Sequence, residues 1–447
     1  MDPEFNGLGI VDWASIGIDF RMCLESLEYL EGDGKGLKKV EDTRSFAGVG
    51  LLLAGEDAAY DISEKSYPWK IGYFQALMGV AKAVEQLDDM VIDKTRNLVF
   101  PKDVMIGPSN PNARPVPPNM ATAPLEENCG NPSAPPELFY LRILNTKGLS
   151  TAQMLDAALA YGNWLEYKKD NEAADEIYEF AVDIVAHASP GAHLAIDRES
   201  GVIKEAGNTQ ATPNMLRAST ALAGHRARVG EVADALPIYL SVLRARRSAP
   251  MDPSSLSHPA STSTADHNDR NGLLDFIKTY IRFRPFPAEG LTGDEPLTRP
   301  AQADCAEAEL MLYIGEILFA TTKSKPEDGL AWTRNAVELA QQGLTSAKPL
   351  SAETTQQCKA CLQLGVDNWS KMVAKLAREE KAINEREGNA AQGWKGWFGS
   401  NKGTDPKSSR WQGEALAVEA FRQEVIKQGI MDQMAATARA PNSVWIG

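Results

Sequence analysis

The side chains whose spacing could carry chemistry in this chain are a pair of cysteines. Cys358 and Cys361 form a C-x-x-C motif, a spacing used in thiol redox loops and in half of many zinc sites. The motif lies in a segment that reads as one long helix, without the aromatic and proline context of a redox loop. A zinc site would need two further ligands, and no matching pair occurs among the five histidines, His187, His193, His225, His258 and His267.

The cysteine count argues in the same direction. Five cysteines are an odd number, and Cys23, Cys129 and Cys305 are scattered far from the C-x-x-C pair. A disulfide framework is therefore not expected. We interpret the cysteines as packing or surface thiols and predict neither a metal site nor a cofactor.

Enzyme signatures are missing from the sequence. It contains no phosphate-binding glycine-rich loop between a strand and a helix, no H-E-x-x-H, no G-x-S-x-G and no kinase motif set. The many Glu and Asp residues lie on amphipathic helical stretches, where they belong to solvated faces. The sequence therefore predicts a protein that is not an enzyme.

Composition limits the partners. The hydrophobic fraction of 43% and charged fraction of 24% are those of an ordered protein, and the net charge of −14 disfavours nucleic acids and anionic membranes. The longest apolar run, 47–55, is far shorter than the roughly 20 residues of a membrane span. Residues 1–5 (MDPEF) are typical of a vector-derived sequence, so a membrane contact is expected only through a segment absent from this sequence.

The elements that must position any site are helix pairs. Residues 155–190 read as two helices joined by a polar turn at 168–171. Small or aromatic residues occur where two antiparallel helices would touch: Ala158, Tyr161, Gly162 and Leu165 on the first helix, then Ala174, Tyr178 and Ala181 on the second.

The same spacing recurs at 216–250. Gly162 and Ala174 are 12 residues apart, as are Ala223 and Ala235, and the next two positions follow after 4 and then 3 residues in both copies: Tyr178 and Ala181, then Tyr239 and Val242. A third unit fits 308–344, with Gly315 on its first helix and Gly329, Thr333 and Ala336 on its second. A fourth first helix fits 352–385, with Gly365 at the close-contact position.

This order of small and large residues resembles the tetratricopeptide repeat (TPR), a helix–turn–helix unit that must stack on neighbours to bury its apolar face. The resemblance implies an all-α fold, a right-handed α-solenoid of TPR-like helix pairs with irregular insertions and a C-terminal capping helix. The Pro-rich insertion and the aromatic tail are also similar to fungal mitochondrial TPR adaptors of the i-AAA protease. That similarity implies protein quality control in the mitochondrial inner membrane, on its intermembrane-space side; the alternative location is cytoplasmic.

The chain divides into segments by composition. Three helices are expected in the N-terminal block, at 11–30, 43–62 and 69–99, and a small β-hairpin is expected at 193–205. The predicted segments are 1–5, vector-derived; 6–100, a helical block; 101–136, a Pro-rich linker or long loop; 137–385, the solenoid; 386–412, a Gly/Trp-rich loop; and 413–447, a C-terminal helix and tail.

A stacked array leaves a concave face that is lined by first-helix residues not used in packing. Its mixture of aromatic, apolar and charged groups suits a protein or peptide partner. Chaperone-tail binding is not predicted, because Leu159 stands where a carboxylate clamp needs a basic residue four positions before Asn163. The candidate partner-binding residues are Leu159, Asn163, Tyr167, Arg217, Arg228, Tyr313, Glu316, Phe319, Gln363 and Trp369.

Two functions of different class remain open. The first is a non-catalytic adaptor or scaffold that binds a protein on the concave face. The second is a structural or assembly subunit whose groove is filled by its own insertions or by its C-terminal helix. Residues 386–412 carry Trp394, Trp397, Phe398 and Trp411, which could fold back onto the array or contact a partner or a membrane.

Overall fold

The structure is a computed structural model of the 447-residue chain. It describes residues 12–30, 37–40, 58–116, 121–204, 210–251, 292–299, 305–322, 325–346, 352–395, 410–427 and 429–430.

The chain separates into two compact units. Unit 1 comprises 1–194, 212–222 and 266–295, and unit 2 comprises 195–211, 223–265 and 296–447. Both are rich in helix and contain few strands in the described residues, which confirms the all-α class at this level.

The helices of unit 1 pack in chain order, α1 on α2, α2 on α3, α3 on α4 and α4 on α5. Residues close to the N-termini of these helices determine where several of them begin. Pro stands in the first turn of α2 and of α3, and Ser150 caps α4 in a capping box with Gln153. The bounds are α1 Trp13–Glu25, followed by one π-helical turn at Ser26–Leu30; α2 Tyr67–Glu85; α3 Pro136–Asn145; α4 Thr151–Tyr167; and α5 Asn171–Ala186.

Two small antiparallel sheets accompany these helices. Strand β1 (Lys38–Lys39) pairs with β2 (Tyr60–Asp61). The second sheet has the order β4-β3-β5, from β3 (Met90–Asp93), β4 (Leu98–Pro101) and β5 (Cys129–Gly130).

The predicted helix at 69–99 is therefore wrong beyond Glu85. Residues 90–93 alternate between half-buried and buried positions along β3, the pattern of a strand covered on one face, and β4 buries Phe100 while Leu98 is exposed. The turn between them is closed by Asn97 at a φ of 55°. Asp93 anchors that turn by accepting hydrogen bonds from Thr95. The described end of the predicted helix at 43–62 is also wrong, because Tyr60–Asp61 is a strand; residues 43–57 lie outside the described part.

The Pro-rich segment 101–136 is folded against the sheet in its described part rather than extended as a linker. Val104 joins Val91 and Phe100 in a small apolar core, and Met105 and Val116 pack against it. Ile106 and Leu125 form a β-bridge, with the Ile106 N–H donating to Pro124 O at 2.9 Å. The low aliphatic content of this segment concealed its order, because backbone and Asn hydrogen bonds replace apolar burial.

The turn between α4 and α5 confirms the prediction at 168–171. Lys169 adopts a φ of 63°, and Asp170 caps α5 by accepting from the Ala173 N–H at 3.2 Å. The predicted hairpin at 193–205 is shorter than expected. A one-turn helix, α6 (Ala192–Ala195), precedes a single bridge between Ile196 and Ile203, and Gly201 at a φ of 73° closes the loop.

The remaining helices of the described residues are α7 (Pro213–Val229), whose residues belong partly to each unit, and five helices of unit 2, the first of which is α8 (Val232–Ser248). In unit 2, α9 packs on α8 and α10, and α11 packs on α9, α10 and α12. The bounds are α9 Cys305–Thr321, α10 Pro326–Thr345, α11 Ala352–Lys395 and α12 Arg410–Lys427.

Helix α11 is 44 residues long, and Leu376 is its last buried side chain among those described. The predicted Gly/Trp-rich loop at 386–412 is therefore wrong at both ends. Residues 386–395 continue α11, where Ala and Gln favour helix over isolated Gly, and α12 begins at Arg410 rather than Gly413. Residues 396–409 and the tail after 430 lie outside the described part.

Candidate partner-binding surfaces

Helices α4 and α5 meet at the close-contact position identified in the sequence. A Cβ atom built on Gly162 would lie 2.7 Å from the ring of Tyr178, so only glycine permits this approach. The Tyr178 hydroxyl donates to Asn163 Oδ1 at 2.8 Å. Asn163, a predicted partner-binding residue, therefore also fastens the helix pair.

Three predicted residues form one row along α4. Leu159, Asn163 and Tyr167 are spaced by four residues, and Asn163 and Tyr167 are exposed while Leu159 is half-buried. The Tyr167 side chain is 64% exposed and stacks on Trp164 at a centroid distance of 5.4 Å. We name Leu159, Asn163 and Tyr167 the α4 row; it is an accessible mixed apolar and polar surface.

Arg217 lies beside the same helix. Its guanidinium forms an ion pair with Asp156, one turn before Leu159, and both side chains remain nearly half exposed. Four predicted residues of unit 1 are thus associated with α4. The ion pair leaves donors and acceptors on both groups for a ligand, because a guanidinium has five N–H donors.

A half-buried group of polar contacts lies between α2, α3 and α4. The Tyr140 hydroxyl donates to Glu85 at 2.5 Å, and the Trp164 indole donates to Glu137 at 2.9 Å. Tyr140 stacks on Tyr161 at 5.4 Å. Burial raises the pKa of Glu85. Both carboxylates are engaged by donors from neighbouring helices, an arrangement typical of structural polar contacts.

In unit 2, two predicted residues of α9 lie between helices. Tyr313 stacks on Tyr239 of α8 at 5.3 Å and donates to Glu309 at 2.9 Å. Glu316 accepts a hydrogen bond from Asn368 of α11. Burial raises the pKa of Glu316 to about 7, against the opposing effects of Asn368 and of nearby Lys371.

Helices α9 and α10 repeat the close approach of α4 and α5. A Cβ atom on Gly315 would lie 2.7 Å from Thr333 Oγ1, and one on Gly329 would lie 2.5 Å from Gly315 O. Helix α11 is similarly close, since a Cβ atom on Gly365 would lie 2.6 Å from Val337. These contacts confirm the glycine positions expected for the third and fourth units.

The other predicted residues of unit 2 differ in their surroundings. Arg228 is exposed in the last turn of α7, and Gln363 is half-buried on α11. Phe319 carries the Lys375 ammonium over its ring at 5.4 Å. Arg228, Gln363 and Phe319 belong to unit 2, whereas the α4 row belongs to unit 1.

Trp369 is covered by the C-terminal helix α12. Its indole donates to Glu414 at 3.0 Å, and its ring tilts against Phe421 at a centroid distance of 5.9 Å. Arg334 of α10 forms an ion pair with the same Glu414. The sequence placed Trp369 on a partner-binding face and left open that the C-terminal helix fills the groove. The repeat of Trp411, Val418 and Val425 every seven residues was the available signal for the side of that helix that makes the contact.

The expectation of five free thiols is wrong. Cys305 and Cys358 form a disulfide across a Cα–Cα distance of 5.1 Å, joining the first turn of α9 to α11. Cys361 is buried as a free thiol, and burial raises its pKa to about 12. The sequence did not indicate this pair, because the partner of Cys358 lies 53 residues away and only folding brings the two together.

Among the described residues, no group of three or more His, Cys, Asp or Glu side chains is arranged to hold a metal ion. None of the described helices combines the length and apolarity that crossing a membrane requires. No protein-family model, curated protein or solved structure matches this chain.

Proposed function

We propose that this protein is a non-catalytic scaffold of TPR-like helix pairs, stacked as a solenoid, which holds a partner protein on its helix faces. The observation that carries the proposal is the repeated close approach of antiparallel helices. Gly162 against Tyr178 in α4–α5 and Gly315 against Thr333 in α9–α10 use the same glycine position. Helix pairs of this kind bury their faces by stacking and leave first-helix residues accessible.

The α4 row is the surface of unit 1 that best suits a partner. It combines an aromatic ring, an amide and an aliphatic side chain, and the Asp156–Arg217 ion pair adds both charges at one end. Such a mixture favours an amphipathic peptide, since Tyr and Arg contribute strongly to protein interfaces.

A second candidate function is a structural or assembly subunit with a self-filled groove. The position of α12 over Trp369 favours it for unit 2, because a predicted partner-binding residue is occupied within the chain. The two functions differ in whether α12 leaves that face when a partner is present.

The disulfide bears on the compartment. Disulfides persist in oxidising compartments and are rare in the cytosol, so Cys305–Cys358 favours the former. This supports a location such as the mitochondrial intermembrane space, where the resemblance to i-AAA protease adaptors would put it. An adaptor role in mitochondrial protein quality control is the corresponding proposal for its pathway.

The proposal is tested by proximity labelling with the full-length protein in its native compartment. We expect the double variant Leu159→Glu/Tyr167→Ala to lose most partners that the wild type labels, because it changes the α4 row. Glu172→Lys on α5 is the matched control and keeps them. Both variants must first show wild-type circular dichroism. Equal labelling by all three proteins would contradict a partner site on the α4 row.

A further inference from the structure

Helix α12 contacts α10 and α11 through one narrow stripe. Its buried side chains are Trp411, Val418 and Val425, spaced by seven residues. The opposite side is open to solvent, and Leu416 there is 74% exposed. The contact is therefore that of an amphipathic helix lying along a face, not of a helix enclosed in a core.

Charged side chains fix the direction and register of α12. Arg422 pairs with Asp367 of α11 at 2.8 Å, and Glu414 accepts from both Arg334 and Trp369. At the N-terminal end, Arg410 forms a two-bond contact with Glu327 of α10 at 3.0 and 3.1 Å. The face of α10 and α11 thus presents two carboxylates and one arginine to the helix that covers it.

The hydrogen bonding between α12 and the face of α10 and α11 is incomplete at Arg334. One carboxylate oxygen of Glu414 serves both the Trp369 indole and the Arg334 guanidinium. Within the described part of the chain, Arg334 Nε is buried without an acceptor. A buried donor without an acceptor opposes docking, and a helix supplying a second carboxylate there would bind this face better.

We propose that α12 is a displaceable occupant of this face, and that the partner is a protein carrying an amphipathic helix with the same pattern. The pattern is basic, aromatic, acidic, apolar, basic, apolar, as at Arg410, Trp411, Glu414, Val418, Arg422 and Val425. This inference rests on the proposed scaffold function and names the class of partner for unit 2. A partner helix with an additional carboxylate near Arg334 outcompetes α12.

The test uses a fluorescent peptide of residues 410–427 as the probe and the full-length protein as receptor. Val418→Glu introduces a charge into the buried stripe and releases α12. Leu416→Glu introduces the same charge on the exposed side and is the matched control. We expect the peptide to bind Val418→Glu at least tenfold more tightly than the wild type or Leu416→Glu, as measured by fluorescence anisotropy.

A charge exchange keeps the inference testable if Val418→Glu fails to fold. Asp367→Arg repels Arg422 of the chain's own α12, so the face opens without a charge in the apolar stripe. We expect this variant to bind the peptide carrying Arg422→Glu at least tenfold more tightly than the unchanged peptide. Equal binding of the two peptides would overturn the docking register that the ion pair defines.

The outcomes separate this inference from the proposed function. Folded Val418→Glu protein that binds the peptide no better than Leu416→Glu overturns displacement of α12. Loss of partners on changing the α4 row, measured in the labelling experiment, would still support the scaffold. Conversely, tight peptide binding combined with unchanged labelling supports this inference and contradicts the unit 1 site.

Discussion

At the scale of single residues, the helix pairs depend on the absence of one carbon atom. Gly162 sits where a Cβ would be 2.7 Å from the Tyr178 ring, and the Tyr178 hydroxyl is in turn held by Asn163. An aromatic ring fixed at both ends cannot move aside cheaply, because the surrounding side chains are closely packed. The close contact between α4 and α5 therefore requires glycine at 162 as much as it requires the tyrosine at 178.

Gly162→Ala should destabilise unit 1 by about 1–3 kcal/mol, because the added methyl group overpacks the contact with Tyr178. Gly72→Ala on α2 is the matched control, since a Cβ there meets nothing within 4 Å. It should be neutral or stabilising by up to about 1 kcal/mol, the helix-propensity difference. Urea unfolding measures both; similar stability of the two variants would contradict the close contact.

Glu316 should make the stability of unit 2 depend on pH. Its folded-state pKa is raised to about 7 from 4.5 by burial, so its favourable contribution is complete below pH 4.5 and is lost as pH rises through 7. The shift corresponds to a free energy on the order of 3 kcal/mol. Glu316→Gln, which retains an oxygen for Asn368, should be more stable than the wild type at pH 8 and similar at pH 4.5. Thermal unfolding at both pH values measures this.

At the scale of elements, unit 2 combines a covalent link with a helix held by a narrow stripe. The Cys305–Cys358 disulfide ties α9 to α11, the two helices that enclose Tyr313 and Glu316 with their neighbours. Helix α12 packs on the outside of this group and buries only three of its described side chains, fewer than a helix enclosed in a core buries. Its docking is thus expected to be much weaker than the α9–α11 contact.

Cys305→Ser should destabilise unit 2 by about 2–4 kcal/mol, because removal of the disulfide frees a long loop in the unfolded chain. Cys23→Ser, at an exposed free thiol, is the control and should have little effect. The wild type in a reducing agent should unfold like Cys305→Ser in the same buffer. A wild-type melting curve that reduction leaves unchanged would argue against the disulfide.

At the scale of the whole molecule, the two candidate functions predict different behaviour on truncation. Removal of residues 396–447 uncovers the Trp369 face, because α12 is its cover. A scaffold with a displaceable helix should lose only the circular dichroism signal of α12 itself and should bind more of an apolar dye. It should also lose roughly 1–3 kcal/mol of unit 2 stability, the value typical of an incompletely buried aromatic contact. A structural subunit with a permanent helix should unfold or aggregate instead.

Sequence patterning could predict the helix pairs and their contact residues. Gly162, Gly315 and Thr333 were identifiable because helical periodicity and the steric requirement for glycine are local properties. The turn at 168–171 was equally accessible, since Asp170 is a strong cap. The strands at 90–93 and 98–101 were missed, because short apolar runs do not distinguish a strand from a helix.

The amino-acid sequence by itself determined which residues form the helix pairs and where those helices approach most closely. The tertiary structure decided what no local pattern could: Cys305 meets Cys358 across 53 residues, the Pro-rich segment packs on a sheet, and α12 lies over Trp369. Each is a contact between segments distant in the chain. Periodicity defines which face of a helix is apolar, but the choice of the neighbour that covers it depends on packing in three dimensions.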